Sequence, residues 1–184
     1  MDRIGIFCSA SQTIDDVYFQ KTKELGKWMG EQGKTLVYGG ANMGLMECVA
    51  QNVKQCGGSI LGVVPSKLEE NERVSTFPDR LLHTHNLSDR KDIILAESDV
   101  MIALPGGIGT LDEVFHVMAS ASIGYHSKKI IFYNIDGFYN ELLAILNMFE
   151  EKQFTRHKLS HYYDVADTFK ELTSLLNEQP ESHD

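Results

Sequence analysis

Positive charge, cysteine and long apolar runs are all scarce in this sequence, and each scarcity excludes a class of protein. Its 184 residues carry 17 lysines and arginines against 26 aspartates and glutamates, a formal net charge of −9. This excess of negative charge argues against a nucleic acid polymer or an anionic membrane as a partner. No apolar run approaches the roughly 18–20 residues that a membrane-spanning helix needs.

The three cysteines, Cys8, Cys48 and Cys56, are odd in number and lack the spacing of metal ligands. The seven histidines show no metal-binding spacing either. The first residues lead directly into a strand-like run, without the charged and then apolar profile of a signal peptide. We therefore expect a cytoplasmic protein with free thiols, no bound metal and no cofactor.

What the sequence does contain is one alternation of strand-like and helix-like segments. With 42% hydrophobic and 23% charged residues, its composition is that of a globular protein. Apolar spacing predicts strands at 3–8, 35–38, 59–64, 81–85, 100–104, 129–133 and 161–163, and helices at 14–29, 44–56, 88–97, 110–123, 138–150 and 165–176. We interpret the polar segment 66–79 as a loop or lid, and 179–184 as a frayed, disordered tail.

Strands built from continuous valine, isoleucine and leucine runs, separated by helices, indicate a parallel sheet covered on both faces. We predict a single doubly wound, Rossmann-like α/β domain over residues 1–178. In such a sheet the ligand lies beyond the carboxyl ends of the strands, where the strand order reverses. The turns that follow strands are therefore the places to search for chemistry.

Two of these turns are rich in glycine. Their residues are Gly39, Gly40 and Gly44 in the first, and Gly106, Gly107, Ile108, Gly109 and Thr110 in the second. Glycine brings bare backbone N–H groups close to a ligand, and a helix N-terminus that follows favours phosphate. Glycines also simply form tight turns, so either loop alone is ambiguous; two such loops in one sheet favour phosphate.

The loops depart from two familiar templates. Gly109 is followed directly by Thr110, whereas a Walker A loop needs a lysine there. Asp112 stands where the dinucleotide fingerprint has its third glycine. A mononucleotide or a sugar phosphate therefore fits these loops better than ATP hydrolysis or nicotinamide chemistry.

Two cations open the helix predicted at 88–97. Arg90 and Lys91 face the positive end of the helix dipole, which costs a few tenths to about 1 kcal/mol each. Compensation by Asp89 and Asp92 is the plain interpretation. The functional interpretation is that Arg90, with Lys91, meets an anionic ligand or a carboxylate across the crevice.

Glu113 also has two interpretations. Thr110 and Glu113 fit the S/T-x-x-E capping box, in which the glutamate only reaches back to the helix N-cap, and the residues alone favour this reading. A carboxylate just behind a phosphate loop is nevertheless well placed to meet a ribose. Arg90 nearby would then keep that carboxylate ionised.

At these residues a family resemblance becomes specific. The segment PGGIGTLDE, preceded by the Arg90-Lys91 pair, resembles the P-G-G-x-G-T-x-x-E and R-K motifs of the LOG (Lonely Guy) family. The likeness runs in order from about residue 3 to 165 through YGG…GLM, GVVP and NIDGFYN. It implies a cytokinin riboside 5′-monophosphate phosphoribohydrolase, an N-glycosidase that releases free base and ribose 5-phosphate. Relatives are often labelled lysine decarboxylases, but the sequence shows no pyridoxal-lysine signature.

Carried over by position, the resemblance implies catalytic roles for Arg90 and Glu113. It makes residues 106–110 the cradle of the 5′-phosphate, with Lys91 beside it and Gly39, Gly40 and Gly44 lining the neighbouring turn. The substrate partner would be a nucleoside 5′-monophosphate. The family also implies a homodimer, and the helix at 114–123 is apolar enough to pack against a partner.

The sequence departs from the family pattern in ways that affect base preference. Ala119-Ser120-Ala121-Ser122-Ile123-Gly124 replaces the common T-W-A-Q-L-G, and Ala41 and Leu87 replace a glycine and a methionine. Plain AMP could therefore serve as well as a prenylated nucleotide. One alternative is a non-catalytic carrier or sensor, like the molybdenum-cofactor carriers of this fold. A nicotinamide-dependent oxidoreductase is disfavoured by the missing third glycine.

Overall fold

The computed structural model describes residues 1–71 and 73–178, and in it seven parallel strands form one sheet. The strands are β1 (Arg3–Phe7), β2 (Thr35–Tyr38), β3 (Ser59–Pro65), β4 (Arg80–Thr84), β5 (Val100–Ala103), β6 (Ile130–Tyr133) and β7 (Tyr163–Ala166). The helices are α1 (Asp16–Glu31), α2 (Gly44–Gln55), α3 (Ser66–Glu70), α4 (Leu87–Glu97), α5 (Ile108–Ser122), α6 (Asn140–Glu151) and α7 (Phe169–Asn177).

The strand order is β4-β3-β2-β1-β5-β6-β7, so the direction of winding reverses between β1 and β5. Ile6 of β1 is in register with Tyr38 of β2 on one side and with Ile102 of β5 on the other. The turns that leave β1, β2 and β5 consequently meet at one edge of the sheet, as they do in doubly wound folds. The predicted doubly wound α/β architecture is confirmed.

The core lies on both faces of the sheet. Successive residues of a strand point to opposite faces, so Ile4 and Ile6 pack on one side and Phe7 on the other. Helices α1, α2 and α7 cover the first face, and α4, α5 and α6 cover the second. This arrangement explains why the strands read as continuous apolar runs rather than as alternating ones.

Most element boundaries lie within two residues of those predicted, but the last strand and the last helix differ by more. The strand expected at 161–163 begins at Tyr163, after a 3₁₀ turn, and α7 begins at Phe169 rather than at 165. Thr168 caps α7, and its capping box with Glu171 is a start signal that the apolar run before it obscured. Helix α5 begins at Ile108, two residues earlier than expected.

The segment expected to be a loop or lid, 66–79, begins with the short helix α3. Beyond it the chain packs against the turn after β2. Ser75 N–H donates to Gly40 O at 2.8 Å, and Ala41 and Val74 form an antiparallel bridge. The tail predicted at 179–184 lies outside the described residues. Across the part of the chain that the structure describes, no helix has both the length and the hydropathy needed to cross a membrane.

Candidate active site

A cavity of about 260 Å³ opens where the turns after β1 and β5 meet the first turn of α4. It brings together six of the residues singled out from the sequence, namely Arg90, Lys91, Gly107, Gly109, Thr110 and Glu113. The wall also contains Cys8, Ser9, Ala10, Met46, Leu87 and Asp112. No catalytic or phosphate-binding role was expected for these six residues, because most of them are small or apolar and Asp112 stood out only at the position of the missing third glycine.

The second glycine turn ends in the N-terminus of α5. Gly107 is the N-cap and makes no side-chain capping bond, and the first helical hydrogen bond runs from Leu111 N–H to Gly107 O at 3.0 Å. The amides of residues 108–110 therefore belong to the group of helix N–H donors that lack an intrahelical acceptor. A Cβ on Gly107 or Gly109 would enter open space, so a ligand can approach the backbone of this turn closely. This is the geometry of an anion site.

The turns behind the cavity wall depend on glycine for close packing. A Cβ on Gly106 would lie 2.1 Å from Thr110 Oγ1, so this glycine lets the threonine fold back over the loop. A Cβ on Gly44, whose φ is +57°, would lie 2.5 Å from the carbonyl carbon of Ala10. The missing side chain of Gly44 thus allows α2 to pack closely against the turn after β1. Gly40, with φ +71°, allows the chain to bend before α2.

Arg90 and Glu113 form a buried ion pair between α4 and α5. Arg90 Nη2 lies 3.1 Å from Glu113 Oε1, and the two side chains are 11% and 6% exposed. The capping-box interpretation of Glu113 is wrong, because α5 begins at Ile108 and leaves Glu113 in its second turn, away from the N-cap. The carboxylate faces the neighbouring helix instead.

Gly39 makes room for this pair. A Cβ built on Gly39 would lie 1.8 Å from Arg90 Nη2 and 2.8 Å from Cζ, so the guanidinium rests directly on the glycine backbone. Arg90 Nε is buried without a hydrogen-bond partner among the residues that the structure describes. Gly39 was predicted to line the phosphate turn, and its position shows a different contribution, which is to seat the arginine.

Burial governs the protonation of Glu113. Desolvation raises the pKa of its carboxyl to about 7, although Arg90 pulls the pKa down. Arg90 thus favours the ionised form, as expected, but the cost of desolvation exceeds the attraction of one guanidinium, so that the carboxyl is only partly ionised near neutral pH. A carboxyl with a pKa near the working pH is suited to exchange a proton.

Cys8 lies beside this pair but is poorly suited to act as a nucleophile. Burial raises the pKa of its thiol well above the ordinary value, and the nearby Glu113 carboxylate adds to the effect. A neutral, buried thiol is a packing group rather than a nucleophile. Within residues 1–71 and 73–178, no three His, Cys, Asp or Glu side chains lie close enough together to hold a metal ion.

Two of the predicted phosphate-binding residues have other surroundings. The Lys91 ammonium lines the cavity but lies 2.8 Å from Asp112 Oδ2 and 2.9 Å from Oδ1. The Ile108 side chain is 84% exposed and stands outside the cavity wall, so only its backbone amide could serve a ligand there.

Comparison with known proteins identifies relatives over nearly the whole chain. The model of a family described as "Possible lysine decarboxylase" matches residues 46–176. The chain is 36% identical over 182 residues to the rice (Oryza sativa subsp. japonica) protein named "Probable cytokinin riboside 5'-monophosphate phosphoribohydrolase LOGL2", covering 99% of this chain and 75% of the rice protein. It is 33% identical to "Cytokinin riboside 5'-monophosphate phosphoribohydrolase LOG5" of Arabidopsis thaliana, covering 95% and 76% of the two chains.

Among solved structures, the molybdenum cofactor binding protein of the phototrophic bacterium Rippkaea orientalis is similar in fold. It superposes with a TM-score of 0.73 at 27% identity, covering 95% of this chain and 94% of the bacterial one. The Moco carrier protein of Chlamydomonas reinhardtii has a TM-score of 0.72 at 22% identity, covering the same shares. At that identity the second likeness concerns the fold alone.

Proposed function

The chain belongs to the LOG family, and from that premise we propose that it hydrolyses the N-glycosidic bond of adenine-type nucleoside 5′-monophosphates. The products are the free base and ribose 5-phosphate. The observation that carries the proposal is the buried Arg90–Glu113 pair beside the N-terminus of α5, which has no side-chain cap. The first turn of α5 and a carboxyl with a pKa of about 7 line the same small cavity, which supports an anion site beside the reacting bond.

The proposed reaction follows from these two features. The amides of residues 108–110, with Thr110, would hold the 5′-phosphate and so place the ribose over Glu113. As the bond from C1′ to the base nitrogen breaks, its electron pair leaves with the base and positive charge develops on the sugar. The ionised Glu113 carboxylate stabilises that charge and orients a water, whose oxygen bonds to C1′. One water proton ends on the departing base, and Arg90 holds the carboxylate in place.

The names of the matched family and of the similar solved structures suggest two other activities, decarboxylation and cofactor carriage, and both fit the cavity less well. Its one lysine among the described lining residues, Lys91, is paired with Asp112, whereas Schiff-base chemistry of the decarboxylase type needs a free amine. A carrier of the molybdenum-cofactor type needs no buried acid–base pair. Retention of Arg90 and Glu113 therefore favours hydrolysis over carriage.

The 5′-phosphate should be required for fast hydrolysis. We expect kcat/KM for base release to fall at least about a hundredfold when adenosine replaces AMP, because the binding energy of the phosphate holds the sugar in place. Chromatographic assay of free adenine measures both rates, and isopentenyladenosine monophosphate in parallel reports base preference. Equal rates with adenosine and AMP would contradict the phosphate role of α5, and no base from either nucleotide would favour the carrier.

We also propose a homodimer formed through the outer face of α5. Three side chains around an apolar groove of about 430 Å³ support it, since Phe115, Ile123 and Phe154 are 39%, 71% and 79% exposed. Exposed apolar patches of this kind mark protein interfaces. Sedimentation equilibrium should give about twice the 20.7 kDa chain mass, and Ile123→Glu should shift the protein to the monomer. A wild-type protein that sediments as a monomer at high concentration would contradict the proposal.

A reducing compartment such as the cytoplasm is proposed for the chain. Cys8, Cys48 and Cys56 are all free thiols in the structure, and the first of them lines the cavity.

A further inference from the structure

Two ion pairs run side by side between α4 and α5. Consecutive residues of α4, Arg90 and Lys91, face consecutive residues of α5, Glu113 and Asp112 respectively. Lys91 Nζ contacts both oxygens of Asp112, at 2.9 Å and 2.8 Å, and the Lys91 side chain is only 13% exposed. The Lys91–Asp112 pair, called the outer pair below, therefore joins the same helices, at the same level, as the proposed catalytic pair Arg90–Glu113.

Further along the two helices a third polar contact occurs. His116 Nε2 lies 2.9 Å from Asp92 Oδ1, with the side chains 24% and 67% exposed. These two residues lie outside the wall of the cavity, whereas Lys91 and Asp112 are part of it. Of the cross-helix charge contacts that flank Arg90 and Glu113, the Lys91–Asp112 pair is thus the one in position to affect the site directly.

We propose that Lys91 and Asp112 are positioning residues, which hold α4 against α5 and thereby keep the Arg90 guanidinium on the Glu113 carboxylate. Lys91 then acts through Asp112 rather than as a ligand of the phosphate. A phosphate that recruited Lys91 would have to displace a carboxylate that already contacts its ammonium with both oxygens. The role rests on the proposed hydrolase function, because the geometry it maintains is that of the catalytic pair.

The charges of the outer pair also act on Glu113, and in opposite directions. Asp112 raises the pKa of the Glu113 carboxyl and Lys91 lowers it. The other charged and titratable neighbours are Arg90, which lowers this pKa, and the Cys8 thiol, which faces the carboxyl from the turn after β1. While both residues are present, their effects on the pKa of Glu113 oppose each other. Removal of either residue alone should therefore shift this pKa and move the acid limb of the pH profile.

The test is a double-mutant cycle on AMP hydrolysis over a range of pH. On the alkaline plateau we expect Lys91→Met and Asp112→Asn each to lower kcat about tenfold with KM within twofold, since a small misplacement of catalytic groups suffices for such a loss. The double variant should lose about tenfold rather than a hundredfold, because the pair acts as a unit. The midpoint of the acid limb should rise in Lys91→Met, fall in Asp112→Asn and return in the double variant.

The control is Lys129→Met, which removes the partner of Asp164 of β7 from an ion pair of 3.1 Å just before β6 and should leave kcat and the pH profile unchanged. A rise in KM and in the inhibition constant of ribose 5-phosphate confined to Lys91→Met, with Asp112→Asn unaffected, would overturn the positioning role in favour of phosphate binding. Additive losses in the double variant would overturn it also. Absence of base release from the wild-type protein would instead overturn the hydrolase function, and this role with it.

Discussion

Replacement of Glu113 by glutamine is expected to lower kcat for base release from AMP by about a thousandfold, while ribose 5-phosphate still binds within about threefold of its wild-type affinity. Glutamine keeps the size of the side chain but removes the charge that would face the developing positive sugar and orient water, and groups of this kind contribute roughly 10²–10⁴-fold. The proposed phosphate site is the N-terminus of α5, which the substitution leaves in place. Single-turnover assay of adenine release and calorimetric titration measure the two quantities.

The pH profile provides a second measurement of the same role. Desolvation raises the pKa of Glu113 to about 7, and the proposed mechanism uses the ionised form, so wild-type kcat/KM should rise with pH through about 7. The residual activity of Glu113→Gln should lack this limb. Glu24→Gln, which changes a half-exposed carboxylate on α1, is the matched control and should behave as wild type. Wild-type turnover in Glu113→Gln would contradict the catalytic role of Glu113.

Burial of the Arg90–Glu113 pair is expected to lower the free energy of unfolding of the protein. The Arg90 and Glu113 side chains are almost fully buried, and Arg90 Nε has no partner among the described residues. A buried ion pair often contributes little to stability, because the cost of desolvating both charges offsets their attraction. An arrangement of this kind is expected where substrate binding and chemistry, rather than folding, determine the residues.

Much of the fold could be predicted from the sequence, because its signals are local. Buried strands such as Ile130–Tyr133 are short apolar runs, and helices such as Gly44–Gln55 keep apolar residues at three-and-four spacing. Gly33, which follows α1, has φ +64°, the conformation of a glycine that ends a helix. The error at β7 and α7 arose where a 3₁₀ turn and a capping threonine lie between apolar runs, so spacing alone could not place the boundary.

The sequence predicted which residues form the candidate site better than it predicted their contacts. Arg90 and Glu113 carry chemical signatures, and the topology brings their helices together, as expected. The seat of Arg90 on Gly39 joins residues about fifty positions apart in sequence, and no local pattern reports such a contact. The start of α5 at Ile108 likewise depends on how its first turn packs, and that start decides whether Glu113 caps its own helix or faces the next one.

Substitution of Gly39 by alanine is expected to reduce kcat about a hundredfold in a protein that remains folded. The added Cβ would lie 1.8 Å from Arg90 Nη2, so the guanidinium must leave its present position against Glu113. Because the obstructed atoms are the end of a flexible side chain, the displacement requires no change in the backbone. Loss of the nearby positive charge should also raise the pKa of Glu113, which moves the acid limb of the kcat/KM profile to higher pH.

Gly39→Ala should match Arg90→Ala in kcat, and the double variant should lose no more than either single one, since all three remove the same contact. Circular dichroism and the thermal midpoint would show that the sheet persists. An unchanged kcat with a raised KM would mean that Gly39 contacts the phosphate, as first expected from the glycine turn. An unchanged kcat and KM would mean that the contact between the guanidinium and the Glu113 carboxylate is dispensable, and the proposed catalytic pair would then be reduced to Glu113 alone.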